Sequence, residues 1–137
     1  MAGRFSDTYA NMLLDISFSK ASNNFPATFY VALSTTTPAN DGTNVTEPVG
    51  NDYARVAVTN NSTNWPAAAS RSKSNGVTIA FPTATGAWGS CTHFCIYDAS
   101  SGGNFVAWGE LTSPVSPTAG TQASFAVGAL VINAPGT

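Results

Sequence analysis

From Pro26 onward the chain is a succession of short runs rich in β-branched and aromatic residues, each cut off by a cluster of Gly, Pro, Asn or Ser. This punctuation constrains the fold more than any other feature. The runs are too short for self-supporting helices, and the turn residues between them supply backbone conformations that end strand pairing. Strands are predicted at 28–34 (TFYVALS), 53–58 (YARVAV), 76–81 (GVTIAF), 91–97 (CTHFCIY), 104–111 (NFVAWGEL) and 122–132 (QASFAVGALVI). The segment ASSGG, 99–103, has the conformational freedom for a hairpin between the fourth and fifth of them. The pattern predicts a mainly β domain, an antiparallel β-sandwich or jelly-roll-like barrel.

One α-helix is predicted ahead of the strands, over 6–20. Ser6 suits the N-cap, Asp7 the positive start and Lys20 the negative end. Tyr9, Met12, Leu13 and Ile16 fall at the three- and four-residue spacing of an apolar stripe, which serves equally for packing on the chain's own strands or at a subunit interface. A length of 137 residues, 43% of them hydrophobic, fits one domain over 1–137, with the helix at 6–20 and the β-sandwich at 27–137. The connections 35–52 and 59–75 exceed the roughly 12–15 residues usual for a loop, so they are expected to touch neighbouring subunits. No repeat, heptad run or collagen-like period appears, so the chain holds no fibre shaft of its own.

Charge narrows the functional classes. Only 9% of the residues are Asp, Glu, Lys or Arg, against roughly 25% in typical soluble domains, so the surface is polar but mostly neutral. With five scattered basic residues and a net charge of −2, the chain is not expected to bind nucleic acid or a membrane surface. No apolar run approaches the roughly 18 residues of a membrane span. Asp7 and Asp15 interrupt any signal-peptide core, so synthesis in the cytoplasm of a cell is the expectation.

Both cysteines and the only histidine lie in SCTHFCIYD, residues 90–98. Strand alternation would put Cys91, His93, Cys95 and Tyr97 on one face and Thr92, Phe94 and Ile96 on the other. Three such residues spread over about 13 Å along a straight strand, too far to converge on one zinc ion. The same spread keeps Cys91 from Cys95, since a disulfide needs Cα atoms about 4.4–6.8 Å apart. A Cys–His nucleophilic pair would need a group to orient His93, and no catalytic motif supplies one. The expected roles are small buried hydrophobes for the cysteines and a hydrogen-bonded sheet residue for His93, with no catalytic residue, metal or cofactor.

Other candidates read as structural too. Asn40, Asp41, Asn44, Glu47 and Asp52 offer oxygens for Ca²⁺ but lack EF-hand spacing, and turn formation accounts for them. Asn44, Asn60 and Asn61 begin N-x-[ST] sequons, which matter only on a secretory route. Trp65, Trp88 and Trp108 could stack on sugars, but Trp88 between two glycines and Trp108 within a strand fit burial better, and Trp65 and Trp88 join the candidate interface residues. The seven acids show no spacing that marks a glycosidase pair.

The pattern TFYVALSTTTP, then GNDYARVAVTNNSTNWPAA, then SNGVTIAFPTATGAWGSCTHFCIYDASSGGNFVAWGELTSP and the SFAVGALVI ending resembles the small tailed-phage proteins labelled tail fibre, or Gp80-like. The resemblance covers nearly the whole chain, and its central part fixes several Gly, Trp and Asp positions in order. It implies a virion structural protein rather than an enzyme. His93 falls in its T-H-F segment and Asp98 in its D-A turn, while small or apolar residues would fit as well at Cys91 and Cys95. A shaftless body suits a capsid decoration, or cement, protein on the virion exterior. Its expected partners are the major capsid protein and two further copies in a homotrimer matched to three-fold lattice positions. The alternative is a tail-fibre or baseplate appendage module that contacts the host surface, for which a glycan is one candidate ligand.

Overall fold

The computed structural model describes residues 2–19 and 25–134. In chain order it contains β1 (Arg4–Phe5), α1 (Asp7–Ser19), β2 (Thr28–Ser34), β3 (Val56–Thr59), β4 (Ser72–Ser74), β5 (Ile79–Ala80), β6 (Cys91–Tyr97), β7 (Phe105–Val115), β8 (Ser124–Phe125) and β9 (Val131–Asn133). Five strands form an antiparallel sheet in the order β1-β7-β6-β2-β3. Two antiparallel pairs, β4-β9 and β5-β8, make a broken second layer. The mainly β expectation holds, but the sheets do not close, so the barrel alternative is set aside.

The runs at 28–34 and 91–97 are strands from end to end. They lie side by side within the sheet, where both faces are covered and apolar residues are wanted at nearly every position. Elsewhere local pattern and pairing diverge. The 53–58 run pairs only from Val56, and 76–81 only at Ile79–Ala80. The 122–132 run breaks into β8 and β9 around Gly128, whose φ of 81° turns the chain. Strand β4, with the sequence SKS, lies inside what reads as a loop because it carries no apolar residue.

Alternation along the central strands builds two apolar clusters, one on each face of the sheet. The inner one joins Val31, Leu33, Phe94, Ile96 and Val106 to Trp65, Ile79, Phe81, Trp88 and Leu130 of the second layer and its loops. The outer one holds Ala32, Cys95, Tyr97, Phe105 and Trp108, with Val45 packed against it. Its cover is the 35–52 connection, which folds back over its own sheet. Thr35 N–H donates to Thr46 O at 2.9 Å, Ala39 N–H to Thr43 O at 2.9 Å, and the Trp108 indole N–H to Asn40 Oδ1 at 2.9 Å. The 59–75 connection is also anchored within the chain, through buried Trp65 and the β4–β9 pairing.

Sequence sets the entry of α1. The Ser6 hydroxyl accepts the Tyr9 N–H at 3.3 Å, as an N-cap does, and donates to Phe105 O at 2.5 Å, fastening the helix start to β7. Asp7 occupies the first turn, and Lys20 lies outside the described residues. Tyr9 is buried, Met12, Leu13 and Ile16 are half-buried, and Met12 packs against the inner cluster. Leu14 and Phe18, on the opposite side, are 56% and 87% exposed.

Candidate functional site

The Cys–His strand departs from simple alternation in one respect. Cys91 faces Val115 across the sheet and His93 faces Glu110, so two steps along β6 correspond to five along β7. This bulge turns Cys91 to the inner cluster with Phe94 and Ile96, while Cys95 and Tyr97 stay on the outer side. The expectation that Cys91 shares a face with His93 and Cys95 is therefore corrected. Both thiols are free and buried, and burial pushes both above the ordinary thiol range, Cys95 strongly. Neither is an activated thiolate.

His93 does have the partner expected of it. Its Nδ1 lies 2.8 Å from Thr92 Oγ1, and its ring centroid is 5.9 Å from that of Trp108. Burial lowers its pKa below the ordinary value, and the Glu110 carboxylate opposes that shift. Among the described residues no three His, Cys, Asp or Glu side chains are grouped to hold a metal ion.

The three tryptophans are packed within their own chain. Trp88 is 4% exposed, donates from Nε1 to Asn51 O at 2.9 Å, and meets Tyr53 edge-on at 5.2 Å. Trp65 is 6% exposed and edge-on to Phe29, and its Nε1 has no partner among the described residues. Trp108 lies between its Asn40 bond and the Arg4 guanidinium, 4.9 Å above the ring. No open stacking platform arises from them.

The connection that supplied candidate Ca²⁺ ligands spends most of them internally. Asp41 Oδ1 accepts from Thr43 N–H and Oγ1–H at 3.0 and 2.7 Å, which holds the carboxyl below its usual range. Asn44, with φ 62°, donates to Thr37 O, and Asn40 is committed to Trp108. The sequon residues Asn60 and Asn61 bond to Pro26 O and to the N–H groups of Thr63 and Asn64. Asp52 is exposed in a left-handed turn.

Sequence reasoning missed the densest polar cluster, centred on Arg55. Its Nη2 and Nε meet the two oxygens of Glu47 at 2.7 and 3.1 Å, and its Nη1 donates to Ala99 O and Gly102 O at 2.8 and 2.9 Å. The guanidinium lies 3.7 Å from the Tyr97 ring centroid. Tyr53 donates to Glu47 Oε1 at 2.7 Å and accepts the Leu33 N–H at 3.1 Å. Burial works against the Arg55 charge, but Glu47 more than offsets it, and burial pushes the Tyr97 hydroxyl up to about 12. No local sequence signal marks it, because Arg55 is 8 residues from Glu47 and 44 from Ala99. The cluster ties the 47–55 loop to the β6–β7 hairpin, itself closed by Asn104 donating to both oxygens of Asp98.

Fold and side chains together define a small, broken-sandwich β protein in which Asp41, Glu47, Arg55 and Asp98 fasten its own loops. The chain belongs to the Gp80 family, described as podophage GP4 fiber I protein gp80, whose model matches residues 4–133. That membership makes it a phage fibre-associated virion protein. A comparison with curated proteins returns no match.

Proposed function

We propose that the chain is a non-enzymatic structural module of a phage tail fibre or baseplate appendage, a tip or adaptor on the virion exterior rather than a shaft. The observation that carries this reading is the family match to a fibre protein over residues 4–133. It favours the appendage over capsid decoration, because the argument for decoration rested on the missing shaft and a tip domain needs none. The fold supports a passive role: Glu47, Arg55, Asp41 and Asp98 hold loops in place. Its partners are other tail or baseplate proteins, and a homotrimer is the expected assembly.

Gold-labelled antibody against the chain on intact particles, with gel quantification of copies, tests the proposal. Label at the tail and a low copy number are expected. Label spread over the head, with hundreds of copies and a loss of capsid heat resistance when the protein is removed, would restore decoration. Release of sugar from host envelopes by the purified chain would overturn the non-enzymatic part.

A further inference from the structure

Asn75 and Gly76 are the only Asn-Gly pair in the chain, a dipeptide prone to lose its side-chain amide because glycine lets the following backbone nitrogen approach it. The fold uses both residues. Asn75 is 1% exposed; its Oδ1 accepts the Leu130 N–H at 2.9 Å, and its Nδ2 donates to Val77 O and Ala126 O at 2.8 and 2.9 Å. Its backbone joins the same turn, with N–H donating to Leu130 O at 3.2 Å and O accepting the Gly128 N–H at 2.8 Å. Gly76 lies so close to the 59–75 connection that a Cβ would run into Thr63 O and meet Pro66 Cδ at 2.8 Å. Packing therefore calls for the labile pair: a side-chain amide supplies the two donors and one acceptor, and glycine fits beside it.

Within the fold the reaction is blocked at each step. The attacking nitrogen, Gly76 N–H, is held by Asn64 O at 2.7 Å, the amide that would leave is held by two carbonyls, and bulk water is shut out. Unfolding removes all three restraints.

We propose that Asn75–Gly76 is a deamidation site that the fold keeps closed and unfolding opens, so that loss of structure becomes irreversible. In the opened chain the Gly76 nitrogen gives up its proton and bonds to Asn75 Cγ; the Cγ–Nδ2 bond breaks, and ammonia leaves with that proton. Water then opens the succinimide ring at either carbonyl, giving Asp or its β-linked isomer with no change of oxidation state. Neither product rebuilds the turn. An Asp carboxylate can only accept, so it sets an oxygen against Val77 O and Ala126 O away from solvent, and the β-linked form lengthens the main chain by one carbon ahead of Gly76. For a protein carried on a virion, which makes no replacement copies, this limits working life. The chemistry itself does not depend on the fibre reading, which particle labelling tests separately.

The test is mass-spectrometric peptide mapping of the full chain after incubation in mildly alkaline buffer, with and without unfolding guanidinium chloride. Among the Asn sites, Asn75 should convert fastest in the unfolded chain, and at least about a hundredfold more slowly in the folded one, where conversion waits on opening. After the denaturant is removed, chains that regain native tryptophan fluorescence should carry intact Asn75, and converted chains should stay in the unfolded or aggregated fraction. Asn75→Asp, made directly, should unfold at a lower denaturant concentration than the wild type. Equal conversion in both conditions, converted chains recovered in the folded fraction, or an unchanged Asn75→Asp midpoint would each overturn the proposal.

Discussion

His93 shows how little of a residue's role is set by its chemistry alone. An imidazole between two cysteines suggests a site, yet here it is 7% exposed, bonded to Thr92 and tilted against the Trp108 ring. Because burial lowers its pKa from 6.5, the folded state holds fewer protons than the unfolded one below that pH. Its contribution is fully present above about pH 6.5 and is lost as pH falls through the folded value. Urea titrations at several pH values should show stability dropping on acidification, and His93→Gln should flatten the slope. Gly109 makes a second prediction at this scale. A Cβ there would sit 2.6 Å from both Gly3 Cα and Phe94 Cε1, because β1 and β7 approach closely beneath the Phe94 ring. Gly109→Ala should cost about 1–3 kcal/mol by overpacking, read as a lower denaturation midpoint.

Elements are fixed at their ends by single side chains. Ser6 caps α1 and reaches Phe105 O, so Ser6→Ala loses a cap and a buried hydrogen bond. The expected destabilisation is about 1–2 kcal/mol, and Ser6→Thr should recover part of it. The β6–β7 hairpin depends similarly on Arg55, whose side chain is 8% exposed while Glu47 keeps 24%. Arg55→Met should cost about 2 kcal/mol, below the range for a fully buried pair because Glu47 still reaches water. Amide exchange should rise at Ala99–Gly103 while β2 and β6 stay protected. The hairpin itself was readable in ASSGG, where Gly102 and Gly103 have φ of 61° and 76°. Its lock to the 47–55 loop was not, because Arg55 and Ala99 are 44 residues apart.

At the scale of the whole molecule, the inner cluster includes residues from α1, both layers and the 59–75 loop, from Tyr9 to Leu130. Thermal unfolding followed by far-UV circular dichroism and by tryptophan fluorescence should therefore give one coincident transition. Separate transitions would mean that the second layer is an independent unit. By itself, the sequence determined the class, the helix start and the two central strands. Those depend on alternation, capping and turn residues, which act between near neighbours. Only the tertiary structure decided that Cys91 turns away from His93, that SKS forms a strand, and that the 35–52 connection covers the outer face. Each of these depends on a distant partner: the surplus residues of β7, the strand β9, and a Trp108 indole 68 residues from Asn40. Register and long-range hydrogen bonds exist only once the chain has closed on itself, so no local pattern can encode them.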